Sequence, residues 1–139
     1  MKPSLSPAVF FDTNVLVYIA SADPQRALRA GALLREGGVV SVQVLNELVS
    51  VLRRKFRFEW ASVETVLAVV HAHCEVVPLD LLMHQEALLL ARLHQLSWYD
   101  ALIVAAAQRA GARTLYTEDL QHGRVFDGGL RVLNPFGTA

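Results

Sequence analysis

Four acidic residues stand at positions where a parallel β-sheet would bring their side chains to a common edge: Asp12, Glu47, Asp100 and Asp119. Asp12 and Asp119 come just after short apolar runs that are typical of buried strands. Glu47 and Asp100 each lie in the first two turns of a predicted helix that a serine can cap. Because ligands bind beyond the carboxyl ends of the strands in open α/β sheets, the four acids are candidate residues of one site.

Each acid also has a structural explanation when it is considered alone. Asp12 can cap the helix that follows it, and Glu47 can be a solvated residue on a helix face. Asp100 stands three residues after Ser97, so the pair can form a capping box. Asp119 can cap a short turn. These alternatives stay open at each position, but the joint arrangement favours a functional cluster.

Clustered carboxylates are unfavourable unless something neutralises them. Two negative charges about 5 Å apart, at an effective dielectric of about 20, repel with roughly 3 kcal/mol. A cluster of four is therefore expected to take up protons or a hard divalent cation. Oxygen ligands of this kind suit Mg²⁺ or Mn²⁺.

The elements that carry these acids alternate between apolar strands and helices. Helices are predicted at 13–20, 24–36, 42–56, 62–73, 81–95 and 98–111, and strands at 9–11, 39–41, 74–79, 113–117 and 130–133, the last at the sheet edge. This order predicts a single-domain, three-layer α/β/α fold over residues 1–139, with a short, mostly parallel central sheet of four to five strands. Residues 1–7 are predicted to be a short N-terminal tail.

Composition and charge restrict the class of protein further. The chain is 53% hydrophobic, which favours a folded domain over a disordered one. Its single cysteine, Cys74, excludes a disulfide framework. The longest apolar run, 101–107, is far shorter than the ~20 residues of a membrane span. We therefore expect a soluble cytoplasmic protein. Because Lys and Arg together number 13, as do Asp and Glu, any nucleic-acid contact must be local.

The acids and their neighbours resemble the four acidic motifs of PIN-domain ribonucleases, most closely those of the bacterial VapC-type toxins of toxin–antitoxin pairs. The resemblance extends from Val9 to Phe136. The residues that carry it are Phe11-Asp12-Thr13-Asn14, Asn46-Glu47, Asp100-Ala101-Leu102-Ile103, Thr117-Glu118-Asp119 and the closing Asn134-Pro135-Phe136. One departure is His122, where many family members carry Phe, which affects local packing rather than the chemistry.

The resemblance implies a PIN-like fold and a metal-dependent endoribonuclease that is the toxin of a type II pair. It makes all four acids catalytic and metal-binding, with Asp12 and Asp100 as the expected direct ligands and Glu47 and Asp119 able to act through water. The supporting polar positions are Thr13, Asn14 and Thr117. One or two Mg²⁺ or Mn²⁺ ions would activate a water for phosphodiester hydrolysis, leaving 5′-phosphate and 3′-hydroxyl ends. A non-catalytic PIN-like module that binds RNA or protein is the alternative.

Further features concern substrate and partners. Arg53 and Arg54 belong to a basic cluster with interleaved aromatics, which suits phosphate contacts and base stacking but equally suits a solvated helix C-terminus. Trp98 and Tyr99, beside Asp100, are candidates for contacting RNA or for packing. The leucine-rich helix at 81–95 offers an apolar face for a homodimer, or is buried on two sides. The resemblance adds a cognate antitoxin, whose C-terminal segment covers the acidic pocket in this family.

Overall fold

The computed structural model describes residues 9–137, so the tail predicted at residues 1–7 lies outside the described part of the chain. The described part contains six strands and six α-helices, with a pair of α-helices after each of the first three strands. The strands are β1 (Val9–Phe11), β2 (Gly38–Ser41), β3 (Cys74–Val77), β4 (Thr114–Tyr116), β5 (Val125–Phe126) and β6 (Leu130–Leu133). The helices are α1 (Thr13–Leu16), α2 (Pro24–Arg35), α3 (Val42–Arg54), α4 (Trp60–His73), α5 (Leu81–His94) and α6 (Trp98–Arg109).

The six strands form one sheet in the order β3-β2-β1-β4-β6-β5. Every pairing is parallel except that of β5 with β6, which is antiparallel. The prediction of a mostly parallel α/β fold is confirmed, but the sheet has six strands rather than four to five. Strand β5 has only two residues, too few to show an alternating pattern, and it takes the edge position that the sequence had suggested for β6.

Both faces of the sheet are covered. Phe10 and Phe11 are adjacent in β1 and therefore point to opposite faces, yet neither is exposed. Val39 and Val40 in β2 are buried in the same way. Helix α6 is buried all round from Ala101 to Ala107, which explains why this segment lacks an amphipathic pattern. The strands are thus layered between helices, as the apolar strand sequences predicted.

Side-chain caps begin most of the helices. The N-cap acceptors are Asp12 for α1, Asp23 for α2, Ser41 for α3, Asp80 for α5 and Ser97 for α6. The caps at Asp12 and at the two serines had been predicted from residue type and position. The first helix differs from its prediction, because α1 gives way to a 3₁₀ helix at Val17–Ala20. None of the helices in residues 9–137 combines the length and the apolarity needed to cross a bilayer.

Candidate active site

The carboxyl ends of β1 and β4 lie side by side and bring Asp12 next to Thr117. The backbone N–H of Asp12 donates to the carbonyl of Tyr116 at 3.0 Å, which continues the pairing of the two strands. Beyond it, the Thr117 hydroxyl donates to Asp12 Oδ2 at 2.8 Å. The other carboxylate oxygen of Asp12 accepts from the Thr13 N–H at 2.7 Å. Asp12, which caps α1, is therefore also held in place by the hydrogen bond from Thr117, directly after β4.

Asp12 is 4% exposed, and its environment disfavours the charged form. The pKa of its carboxyl is raised from 3.8 to about 7, chiefly by burial and to a smaller extent by the negative charges of Asp119 and Glu47. The hydrogen bonds from Thr117 and Thr13 act in the opposite direction. A buried acid with this pKa changes its charge near neutral pH, so a cation placed beside it has a large effect on its protonation.

Glu47 reaches the same region from α3 and is held by two donors. The Thr13 hydroxyl donates to Glu47 Oε2 at 3.1 Å, and Gln43 Nε2 donates to Glu47 Oε1 at 2.8 Å. Gln43 is a site residue that the sequence analysis did not select. Its spacing of four residues from Glu47 is the signal that places both side chains on one helix face.

Asn14 connects α1 to the segment that follows β4. Its Nδ2 donates to Thr117 Oγ1 at 3.3 Å, and its Oδ1 accepts from the Glu118 N–H at 3.2 Å. The Asp119 N–H donates to Thr117 Oγ1 at 3.1 Å. The three supporting polar positions, Thr13, Asn14 and Thr117, thus each hydrogen-bond to an acid or to the backbone that carries one.

An open cavity of about 370 Å³, here called the acidic cavity, unites three of the four predicted acids. Asp12, Glu47 and Asp119 line it together with Lys55, a cation that the sequence analysis did not single out. Asp100 is not among its lining residues. It lies half-buried in the first turn of α6, where its N–H donates to the Ser97 hydroxyl at 3.3 Å.

A larger cavity of about 720 Å³, here called the aromatic cavity, adjoins the acidic cavity and shares Glu47 and Val51 with it. Trp98 and Tyr99 line it, as does Arg54, whose Nε donates to Ser50 Oγ at 2.9 Å. The other predicted substrate residue, Arg53, is engaged elsewhere. It donates to the carbonyl of Phe58 at 3.0 Å, and its guanidinium lies 4.3 Å from the centre of the Trp60 ring.

A second group of residues holds the segment before Asp119 against α2. Arg26 Nη1 donates to Tyr18 Oη at 2.7 Å and to Glu118 Oε2 at 3.2 Å, while Tyr18 Oη donates to Glu118 Oε1 at 2.9 Å. Tyr18 and Glu118 also line the acidic cavity. No short-range pattern could have joined residues about 100 positions apart, so the sequence analysis missed this cluster, which we call the Arg26 clamp.

The donor chemistry of the acidic cavity fits a hard divalent cation. Within residues 9–137, no three His, Cys, Asp or Glu side chains are arranged so that they could hold a metal together. The expected meeting of all four acids at one metal is therefore not seen among these residues. Mg²⁺, however, is commonly held by one or two carboxylates, with waters and substrate phosphates completing its shell. Each Asp12 oxygen accepts one hydrogen bond and keeps a further lone pair for a cation.

Comparisons with known proteins agree with this fold. A family model described as the PIN domain matches residues 9–126. No curated protein gave a significant match. Among solved structures, Mycobacterium tuberculosis VapC20, described as a sarcin-ricin loop cleaving toxin, is 21% identical, with a TM-score of 0.66 over 80% of this chain and 89% of that one.

Two further solved structures are similar over more of the chain. A toxin–antitoxin complex from Klebsiella pneumoniae contains a chain that is 18% identical, with a TM-score of 0.69 over 91% of this chain and 97% of that one. VapBC2 from Rickettsia felis, solved with a DNA fragment from its promoter, contains a chain that is 20% identical, with a TM-score of 0.64 over 96% of this chain and 100% of that one. At these identities the likeness concerns the fold.

Proposed function

Because the chain belongs to the PIN domain family, we propose that it is a metal-dependent endoribonuclease that hydrolyses RNA phosphodiester bonds and is the toxin of a type II toxin–antitoxin pair. One observation carries the proposal. Asp12 is buried at the carboxyl end of β1, faces a cavity with Glu47 and Asp119, and has its pKa raised to about 7. A binding module gains nothing from clustering carboxylates that repel one another, whereas a metal site needs such a cluster and the cation offsets the repulsion.

Some residues of the acidic cavity would bind the cation, and others hold those residues in place through hydrogen bonds. Asp12 and Asp119 would bind the cation, with Glu47 and Asp100 completing the set directly or through water. Thr117, Thr13 and Asn14 keep the carboxylates and the segment of Asp119 oriented through the hydrogen bonds described above. A bound Mg²⁺ or Mn²⁺ lowers the pKa of a water and stabilises negative charge on the phosphate. The chain thus needs no nucleophilic side chain for the reaction.

The ribonuclease activity is tested with the parent protein, Asp12→Asn and Asp127→Asn on single-stranded RNA. Asp127 is exposed and lies outside the acidic cavity, so it provides the same chemical change away from the site. We expect cleavage by the parent and by Asp127→Asn in Mg²⁺, and a loss of at least about 100-fold in Asp12→Asn. Thermal melting of all three proteins establishes that each is folded.

Removing the cation tests the metal dependence. Chelation should abolish cleavage, and added Mg²⁺ or Mn²⁺ should restore it. The ends of the cleaved RNA should carry 5′-phosphate and 3′-hydroxyl groups. If the parent binds RNA but leaves it intact in either metal, the chain is the non-catalytic PIN-like module. Cleavage that continues at full rate in Asp12→Asn contradicts the proposed site.

The toxin role predicts a protein partner that neutralises the acidic cavity. A cationic side chain inserted among Asp12, Glu47 and Asp119 would relieve the same repulsion that a metal relieves. Induced expression of the parent should therefore arrest growth, and co-expression of a small protein from a neighbouring reading frame should restore it. Equal growth of cells that express the parent and Asp12→Asn would argue against a toxin.

We also propose that the chain forms a homodimer through α5. Five exposed leucines of this helix lie within an arc of roughly 140°, at about 100° per residue: Leu81, Leu82, Leu88, Leu89 and Leu93. The opposite side of the helix, with Met83 and Ala87, is buried in the core. A second copy of the chain is the partner that would cover such a face by symmetry.

Light scattering after size exclusion tests the dimer. We expect a mass twice that of the chain for the parent, and a monomer when Leu89 and Leu93 are both changed to Glu. Leu28 is an equally exposed leucine on α2, so Leu28→Glu makes the same chemical change away from this face and should remain dimeric. A parent that is monomeric at micromolar concentration overturns the proposal.

A further inference from the structure

The aromatic cavity adjoins the acidic cavity, in which we placed the proposed cleavage reaction. It shares Glu47 and Val51 with the acidic cavity, so a chain of nucleotides whose phosphate occupies the acidic cavity continues directly into it. Its volume of about 720 Å³ falls within the range of pockets that enclose small ligands. Its position therefore connects it to the reaction proposed above.

Gln43, which lines this cavity, has one buried polar atom that no donor among the described residues reaches. Gln43 is 5% exposed, and its Nε2 donates to Glu47 Oε1. Since the Glu47 carboxylate can only accept hydrogen bonds when ionised, this contact fixes the orientation of the Gln43 amide and leaves Oε1 as the acceptor. Among the described residues, Gln43 Oε1 has no hydrogen-bond donor. The atom itself has almost no exposed surface. Because an unsatisfied buried acceptor is unfavourable, a small shift of the amide towards the cavity that brought Oε1 to an N–H group of a ligand would be favourable.

The other walls of the cavity offer surfaces that suit a nucleotide. Tyr99 is 64% exposed, so its ring is available for stacking. Trp98 packs edge-to-face against His84, with the ring centres 5.1 Å apart, which holds the indole in place. Arg54 is exposed, is oriented by Ser50, and forms no ion pair with any described residue. Aromatic rings beside a free guanidinium are typical of surfaces that bind unpaired bases and their phosphates.

We propose that the aromatic cavity is a subsite for one unpaired nucleobase of RNA that flanks the cleaved phosphodiester. The base stacks on Tyr99 and Trp98, Gln43 Oε1 accepts a hydrogen bond from its amino group, and Arg54 contacts the adjacent phosphate. This inference rests on the ribonuclease function proposed above and adds a source of base selectivity to it. An acceptor in this position favours bases that carry an exocyclic amino group over uracil, because the only donor on the Watson–Crick edge of uracil, the ring N3–H, is flanked by two carbonyl oxygens that repel the acceptor.

Binding is measured first, without cleavage, in an Asp12→Asn background. Trp60→Phe in the same protein leaves Trp98 as the single tryptophan of the chain. We expect a single-stranded adenine pentanucleotide to quench its fluorescence. Tyr99→Leu should raise the dissociation constant about tenfold through lost stacking, and Tyr99→Phe should leave it unchanged. Equal affinity of the Leu and Phe variants overturns the subsite.

Cleavage selectivity is measured next, on RNAs that differ only at the nucleotides flanking the cleaved bond. We expect the parent to favour an amino-bearing base over uracil about tenfold in kcat/KM, and Gln43→Met to reduce this ratio to about one. Thr13→Val is the matched control, because it removes the other hydrogen bond to Glu47 from outside the aromatic cavity. It should lower all rates and keep the ratio. An unchanged ratio in Gln43→Met overturns the role of Gln43.

The outcomes separate the two proposals. If the parent cleaves RNA and requires Asp12, while Tyr99→Leu and Gln43→Met change neither affinity nor selectivity, the ribonuclease proposal stands and the base subsite is wrong. If Tyr99→Leu weakens only the complex with an antitoxin protein and leaves RNA affinity intact, the cavity binds a peptide and the base subsite is again wrong. Absence of both RNA binding and cleavage overturns the proposed function together with this inference.

Discussion

Asp12 couples the stability of the metal-free protein to pH. Its folded-state pKa is raised from 3.8 to about 7, mainly by burial, so the folded state holds this proton more tightly than the unfolded chain. The stability it contributes is therefore complete below about pH 4 and is lost as the pH rises through about 7. With chelator present, we expect urea denaturation to show the free energy of unfolding falling by about 4 kcal/mol across this range.

Asp12→Asn isolates that titration. The amide keeps the shape of the carboxyl but cannot ionise, so the variant should lose most of this pH dependence and be more stable than the parent near pH 8. Added Mg²⁺ should recover the stability of the parent at that pH, since ligand binding to the folded state alone stabilises it, and should do little for the variant. The same slope in both proteins would assign the pH dependence to other groups.

At the residue scale, the sequence indicated which acids belong to the site but not the pKa of Asp12 or the role of Gln43. Asp12, Glu47 and Asp119 could be placed in one cavity from their positions after strands and in the early turns of a helix, because the topology of a parallel sheet brings those positions together. The pKa of Asp12 could not be read in the same way, because it depends on how completely the finished core excludes water. Gln43 was missed because its residue type does not indicate a site, and only its spacing of four residues from Glu47 places it beside that acid.

Among the elements, β1 and β2 can approach closely because Gly38 in β2 has no side chain. A Cβ at Gly38 would lie 2.6 Å from Cε2 of Phe11 and 2.9 Å from the carbonyl oxygen of Val9. The strand backbone cannot yield as a flexible side chain can. We expect Gly38→Ala to lower the free energy of unfolding by about 2 kcal/mol, measured by urea denaturation. Since Phe11 precedes Asp12, activity of the folded fraction should fall as well.

Gly31 provides the control for that substitution. It lies inside α2, and the nearest atom to an added Cβ is Arg35 Nη1 at 3.6 Å, which is ordinary contact. Alanine is the better helix former, so Gly31→Ala should raise stability by about 0.5–1 kcal/mol. If both alanine variants shift stability in the same direction, close packing at Gly38 is not the cause.

The Arg26 clamp ties α2 to the segment that carries Asp119. Its ion pair with Glu118 is partly solvated, with the Arg26 side chain 41% exposed, so Arg26→Met should cost only about 1 kcal/mol or less in stability. The effect on cleavage should be larger, about tenfold in kcat, because Asp119 loses its fixed position. Steady-state kinetics and urea denaturation on the same preparation measure the two effects.

Arg29→Met tests whether the clamp acts through Glu118. Arg29 lies one turn further along α2, and its Nε donates to the carbonyl of Pro135 at 3.1 Å, away from Asp119. The Arg29→Met substitution should therefore lower the free energy of unfolding by an amount similar to that of Arg26→Met, and it should leave kcat near the parent value. A loss of kcat in Arg29→Met equal to that in Arg26→Met would show that α2 as a whole, and not the clamp, affects the site.

The elements themselves were largely predictable because their signals are local. A capping side chain next to an apolar segment marks where a helix begins, as at Asp23 before α2 and Asp80 before α5. Two features carried no local signal. Strand β5 depends on its pairing with β6 rather than on its own two residues, and the clamp joins side chains from distant parts of the chain.

Across the whole molecule, charge is balanced in total but separated in space. The chain has 13 acidic and 13 Lys or Arg residues. Four acids line the acidic cavity: Asp12, Glu47, Glu118 and Asp119. Arg54 and Lys55, at the end of α3, line the aromatic and acidic cavities respectively. The balanced total, visible in the sequence, excludes binding through a general positive field. The spatial separation of the charges could not be predicted from the sequence, because it depends on which helix ends meet in the folded chain.

This distribution predicts that RNA affinity depends only weakly on salt. Two cations at the site correspond to a slope of about −1.4 in a plot of log affinity against log salt concentration, at about −0.7 per neutralised phosphate of a single strand. Fluorescence anisotropy with Asp12→Asn, which holds RNA without cutting it, measures the slope. Arg54→Gln should reduce it to about −0.7. Arg113→Gln should leave it unchanged, because Arg113 precedes β4 and so lies at the amino end of that strand, away from the site. A slope near −4 would instead require an extended cationic surface, and would contradict binding confined to the two cavities.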